Sequence, residues 1–310
     1  MKRKCKWLAA VLPVVLLCGC GGRQGDLLLA QAIYQEQEAQ TVQLRILCLE
    51  SEPSANAEDA QPKPVLLAGE GATLEEAWQA AQQQTGGQVF LGQCRVWMLG
   101  PGQAQRLNSE DAEFWMQQDP GCGSMNLWLV DLSPQALEEP KQPAALADAV
   151  KNVQEDSPAY LAAGQELLLL PQVNLSAAVQ VEAEVLYRAG EPVLRWTDAE
   201  RALALWMQGK GQTLTFRQEG GSFAVKQPIC TIAAEGGELV FQLEGRLEGQ
   251  KKTSVLTLAQ AEQWLQTMAE GVLAQTQAAG ADWFCVQGQL RQRTGNEKGR
   301  TRVQVRLVED

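Results

Sequence analysis

At three places in this chain a threonine stands three residues ahead of a glutamate or glutamine and opens a run of apolar residues at helical spacing: Thr73–Glu76, Thr197–Glu200 and Thr257–Gln260. In such a capping box the threonine hydroxyl accepts from an orphan N–H of the first turn, and the residue three further on reaches back. The first helix shows Leu74, Ala77, Trp78 and Ala81 and stops before Gly86-Gly87. The second runs to Gln208 and is closed by Gly209 and Gly211. The third is the longest, to about Ala279, with a stripe of Leu258, Ala261, Leu265, Met268 and Val272 at a period of about 3.6 residues. Between the boxes the period is two, the mark of strands. Capped single helices among such strands predict an α+β fold of two to three small domains, with mixed or antiparallel sheets.

The order of elements sets expected boundaries. Leu27–Ile33 and Thr41–Leu49 read as strands. In the second, Val42, Leu44 and Ile46 point one way and Gln43 and Arg45 the other, as in a half-buried strand. Ser51–Pro64 reads as a loop, and Val65–Leu67 as the start of another strand. Val89–Leu99 reads as a strand pair or one bent strand, Ser109 opens a helix carrying Phe114, Trp115 and Met116, and Met125–Leu132 is a strand. Residues 26–135 are thus expected as an N-terminal α+β domain. Residues 136–170, acidic and proline-containing, are expected to connect, with one helix at Ala144–Gln154. Residues 171–212 form a middle unit: a hairpin turning at Tyr187–Pro192, then the second capped helix. Residues 213–310 form a C-terminal antiparallel sheet with the long helix, and the alternating Val303, Val305 and Leu307 belong to its last strand.

Ahead of all this, Met1–Lys6 is a basic stub and Trp7–Leu17 a short apolar run, which together read as a secretory signal over residues 1–19. The run is short of the about 20 apolar residues that cross a bilayer, and no later segment comes near that length. The signal ends in Leu17-Cys18-Gly19-Cys20. An aliphatic residue three before a cysteine, with glycine just before it, resembles the lipobox of bacterial lipoproteins. Cys20 is therefore the expected lipid attachment, and residues 20–25 a short tether. Cys18 is the rival acceptor, but bulky Leu17 fits the processing step badly. An ordinary cleaved signal with incidental cysteines is the alternative. Two or three acyl chains suffice for stable anchoring, each buried methylene adding about 0.8 kcal/mol.

Composition narrows the function classes. A net charge of −11 argues against an electrostatic grip on nucleic acid and against lying flat on anionic lipid. Histidine is absent, which removes Ser-His-Asp and Cys-His catalysis and the commonest transition-metal ligand. Neighbouring carboxylates such as Glu75-Glu76 and Glu138-Glu139 face different directions or lie in a loop, and make poor acid–base pairs. Beyond the signal stand Cys48, Cys94, Cys122, Cys230 and Cys285, with no Cys-x-x-Cys spacing. They sit among apolar residues and read as small buried hydrophobes rather than a metal site. No catalytic residue, cofactor site or metal site is expected.

Several segments, in order, resemble the Ger(x)C family, the C-subunit lipoproteins of spore germinant receptors. Leu27–Ile33 ends in an Ala-Ile pair like the opening of that family's mature chain. Gly69-Glu70-Gly71-Ala72-Thr73-Leu74-Glu75-Glu76-Ala77 is similar to its Gly-x-Gly-x-Thr-(apolar)-x-Glu-Ala. Val89–Gln93 stands where the family has Leu-Tyr-Phe-Gly-His, with the histidine lost. Val96–Gly100 is similar to its apolar strand ending in glycine, and Glu113–Pro120 resembles its Asp-Phe-Phe-x-Arg-Asp-Pro, with the arginine replaced. Ala183–Gly190 is similar to its Ala-Val-Phe-Lys-x-Gly. Leu194–Glu200 with Leu205-Trp206-Met207-Gln208-Gly209-Lys210 resembles its Leu-x-Asp-x-Glu…Leu-Trp-Leu-x-Gly-Lys, the most specific piece. Gly21-Gly22 departs from the Trp-Asp that usually follows the lipidated cysteine, and the chain is shorter than usual after Asp282, as in a divergent member.

The resemblance implies a lipid-anchored, non-catalytic subunit on the outer face of the spore inner membrane. Its implied partners are two integral-membrane receptor subunits, one of them transporter-like, and its implied role is receptor assembly or signal relay. A substrate-binding lipoprotein of a transporter is the rival reading. Such proteins usually have two α/β lobes with parallel sheets, whereas the strands here alternate as antiparallel ones do.

Overall fold

The computed structural model describes residues 27–50, 62–86, 88–151, 153, 167–175, 180–210, 213–218, 221–248, 257–295 and 299–309. The expected signal, the tether and Cys20 lie outside the described residues. Strands β1 (Leu27–Glu38), β2 (Thr41–Glu50) and β3 (Lys63–Gly71) form an antiparallel meander. Helix α1 (Leu74–Gln83) then packs against β3 and leads to β4 (Gln88–Phe90) and β5 (Val96–Leu99), both parallel to β1. After α2 (Ser109–Gln118) comes β6 (Asn126–Val130), parallel to β5. Two short helices follow, α3 (Pro134–Leu137) and α4 (Gln142–Val150). Strand β7 (Leu167–Asn174) pairs parallel to β6, and β8 (Gln180–Arg188) and β9 (Glu191–Thr197) extend the sheet as a hairpin. The nine-stranded order is β3-β2-β1-β5-β6-β7-β8-β9, with β4 on β1.

Both faces of this sheet are covered. One carries Ile33, Leu44, Ile46, Trp97 and Leu127 under α1 and α2, and the other carries Ala32, Tyr34, Leu47, Met98 and Trp128 under α3 and α4. That is why β5 is buried at all four positions, Val-Trp-Met-Leu: a strand sandwiched between helices reads as continuously apolar rather than alternating.

The second sheet is smaller. Helix α5 (Asp198–Met207) begins where β9 ends, with no linker, and is followed by β10 (Thr213–Gln218), β11 (Gly221–Glu235) and β12 (Glu238–Glu248). Then come α6 (Leu258–Ala278), α7 (Val286–Thr294) and β13 (Thr301–Glu309). The sheet order is β10-β11-β12-β13. Its core joins Phe216, Phe223, Phe241, Leu243 and Val303 to Trp206 of α5 and Leu265 and Val272 of α6.

The α+β class is as expected, but the subdivision differs. Residues 136–170 do more than connect, because Leu137, Leu146 and Val150 are buried against the first sheet, and the helix spans Gln142–Val150 rather than Ala144–Gln154. The hairpin expected in a middle unit at 171–212 completes the first sheet, while α5 from the same stretch belongs to the second core. Strand β13 pairs in parallel with β12, so the C-terminal sheet is mixed rather than antiparallel. Parallel pairing at the centre of the first sheet also removes the expected contrast with parallel-sheeted ligand-capturing proteins.

Candidate functional site

The residues that carry the resemblance are mostly ones that hold elements together. Gly69 and Gly71 let α1 lie directly on β3. A Cβ at Gly69 would sit 2.0 Å from the Ala77 carbonyl oxygen and one at Gly71 2.5 Å from the Glu76 Cβ. Thr73 Oγ1 accepts from the Glu76 N–H at 3.2 Å, and the Glu76 carboxylate accepts from Ala72 N–H at 2.8 Å, one residue earlier than the box requires. At Thr197 and Thr257 both halves of the box are present. Trp206 is fully buried and its indole N–H donates to the Ile229 carbonyl at 2.9 Å, tying α5 to β11. Gly209 takes φ +71°, a left-handed conformation that glycine adopts without strain. There it closes α5 by donating to Trp206 O while Lys210 N–H reaches Leu205 O.

Three polar constellations lie elsewhere. At the C-terminal ends of β1 and β5, Asp111 Oδ2 accepts from Gln35 Nε2 and Gln103 Nε2, each at 2.8 Å. Burial raises the Asp111 carboxyl above its ordinary 3.8, and the two amides oppose that shift. Beside it, Glu36 Oε1 accepts from the Gln37 and Gln103 N–H groups at 2.7 and 3.0 Å. These carboxylates pin the 100–106 loop and the start of α2 to the first sheet.

On the other face, Arg45 is 4% exposed and pairs with Glu138 of the α3–α4 turn at 2.6 Å and with Glu70 of β3 at 3.4 Å. The alternation had pointed Gln43 and Arg45 to solvent, but α3 roofs that face. A lone arginine in the apolar run Leu44–Leu49 was the available signal for a buried ion pair. No motif marks Gln35, Gln103 or Asp111, which are brought together by folding alone.

The third constellation lies where the two sheets meet. Arg201 of α5 pairs with Glu184 of β8, whose carboxyl is raised by burial against the pull of that guanidinium. Arg201 also lines a cleft of about 860 Å³ with Leu205, Leu214, Thr215, Trp264 and Met268. The cleft has an apolar wall on one side, while Thr197, Asp198, Thr213 and Thr215 line the rest beside Arg201. Among the described residues no group of carboxylates and cysteines could hold a metal ion.

Of the cysteines, Cys48, Cys94 and Cys122 are buried within one core, as expected. Burial pushes the thiols of Cys48 and Cys122 up to about 12 and that of Cys94 well above its ordinary value, which makes them inert. Cys230 is only half-buried, and Cys285 is exposed ahead of α7. The apolar neighbours Trp283 and Phe284 misled there, because the backbone turns through a left-handed residue at Cys285.

No protein-family profile matches the chain, and no curated protein matches it. One solved structure is similar, described as the crystal structure of the GerBC protein. It is 12% identical over 89% of this chain and 96% of that one, with a TM-score of 0.48. No helix among the described residues is long and apolar enough to cross a membrane.

Proposed function

We propose that this chain is a lipid-anchored, non-catalytic subunit of a nutrient germinant receptor, held to the outer face of the spore inner membrane through Cys20. In that role it supports receptor assembly or signal relay beside integral-membrane partners. The observation that carries this reading is the ordered set of segments resembling the Ger(x)C family. Within it, Gly69–Ala77 lets α1 lie directly on β3, and Leu205–Lys210, part of the most specific piece, closes α5. A non-catalytic role is supported by the engagement of Asp111 and Glu184 in structural hydrogen bonds and ion pairs. Deleting the gene in a spore-former that lacks paralogous receptors should abolish germination to at least one nutrient. Normal germination with every nutrient would refute the role. Cys20→Ala should block acylation and, without partner subunits, release the chain from membranes.

A ligand-capturing lipoprotein is the second reading, favoured by the cleft beside Arg201 and Trp264. Titration calorimetry of the protein with amino acids and sugars tests it, and tight binding would displace the receptor-subunit reading.

A further inference from the structure

Among the described residues four large apolar side chains are exposed, and two of them, Leu27 (40%) and Phe90 (41%), occupy adjacent strands at one end of the first sheet. Leu27 pairs with Gln88 and Leu29 with Phe90 in the parallel β1–β4 ladder, so the two side chains stand two residue steps apart along neighbouring strands, about 7 Å, and on the same face of the sheet. Leu27 is also where the described chain begins. It lies seven residues after Cys20, a stretch that reaches at most about 25 Å when fully extended. The same end carries charges of both signs. Lys63 lies two strands across from Leu28, through Glu50, and is exposed. Arg95 immediately precedes β5 and donates to the Lys151 carbonyl at the C-terminus of α4, where Lys151 itself is exposed. Glu50, between Leu28 and Lys63, and Asp119, whose carboxylate flanks Gly92 together with the Phe90 ring, offset two of these three cations, so this end is near neutral in a chain of net charge −11.

We infer that this end of the first sheet rests on the bilayer, with Leu27 and Phe90 entering the headgroup layer and Lys63, Arg95 and Lys151 facing anionic lipid. The inference rests on lipidation at Cys20, which fixes which end of the molecule is near the membrane. The tether keeps this end the nearest to the membrane, and exposed apolar groups on a near-neutral end of an otherwise acidic surface can be buried in the headgroup layer without bringing net negative charge to it. The rest of the surface is net negative and is held off, so the chain stands on this end rather than lying flat.

The test uses the full lipidated chain in vesicles of phosphatidylglycerol and phosphatidylcholine, after intact mass has established acylation at Cys20. A water-soluble amine-acylating reagent should modify Lys63 and Lys151 about fivefold more slowly than in the Leu27→Asp/Phe90→Asp variant in the same vesicles. Lys141, at the opposite end of α4, and Lys210, after α5, should react alike in both and report that the variant is folded. Independently of any variant, a photoreactive phosphatidylcholine should label peptides holding Leu27–Gln31 and Gln88–Arg95. Equal rates at Lys63 and Lys151, or lipid label confined to residues 20–26, overturns the contact while leaving the anchor standing. Protection that appears only when membrane subunits are reconstituted as well means a protein covers this end, and also overturns it. If the native chain, made in a host that processes lipoproteins, carries no acyl mass at Cys20, the anchor reading falls, and this inference with it.

Discussion

The two sheets bury their strands differently. The nine-stranded sheet has helices on both faces, and even its charged Arg45 lies under a roof. The four-stranded sheet has α5, α6 and α7 on one side, while Thr231, Glu244 and Arg306 stand exposed on the other. The difference shows in the strands themselves: β5 and β6 are apolar at successive positions, whereas β13 alternates Val303, Val305 and Leu307 with Arg302, Gln304 and Arg306. A sheet covered twice demands apolar residues everywhere, and one covered once demands them at every second place.

Placing a charge on the second face of each sheet puts that contrast at most risk. Met98→Lys, in the first sheet, should leave little folded protein, since an unpaired buried charge costs several kcal/mol. Thr231→Lys, in the second, should stay within about 0.5 kcal/mol of the parent in urea unfolding. Comparable loss in both variants would show that the second sheet is covered too.

Helix attachment differs as well. Gly69→Ala forces α1 off β3 and should cost about 1–3 kcal/mol. Gly209→Ala meets no neighbour within 4 Å and strains only φ, so its cost in thermal unfolding should be smaller, about 1 kcal/mol. If the two are equal, the close approach at Gly69 is not what holds α1.

The capping boxes give a finer comparison. Thr197→Ala and Thr257→Ala each remove a complete box and should each cost about 1 kcal/mol in chemical denaturation. Thr73→Ala, whose box is shifted by one residue, leaves the Glu76–Ala72 bond intact and should cost less.

The smallest effect is a pH dependence confined to the first sheet. The folded state raises the Asp111 carboxyl, so between its ordinary 3.8 and the raised value the native chain holds more protons than the unfolded one. Stability from this group therefore falls as pH rises through that window. Asp111→Asn should flatten the profile there, and an unchanged slope would assign it to another carboxyl, with Glu184 next in line.

Local signals carried most of the elements. The caps at Thr197 and Thr257, the stripe of α6 and the turn at Ala189-Gly190 lie within a few residues of what they specify, so a linear reading finds them. Pairing direction and coverage are set at long range. Nothing inside Thr301–Glu309 says that it joins β12 in parallel, and inside Thr41–Glu50 the lone Arg45 hints at a buried pair without saying that α3 will supply it. The polar cluster at Asp111 was illegible for the same reason, since Gln35 stands 76 residues away from it. Cys20 rests on its local pattern, which is where such a signal resides.

The direct passage from β9 into α5 bears on how the chain is made. Trp196, the penultimate residue of the first sheet's last strand, is fully buried within the second core, and Leu194 and Leu169 pack there as well. During vectorial synthesis the first sheet can close while residues beyond Thr197 are still emerging, but the wall bearing Trp196 stays open until β10 to β13 arrive. The finished edge of the first sheet then serves as the template on which the second assembles. A chain ending near residue 212 would present that template bare, and one beginning at residue 213 would lack Trp196 and all of α5 from its core.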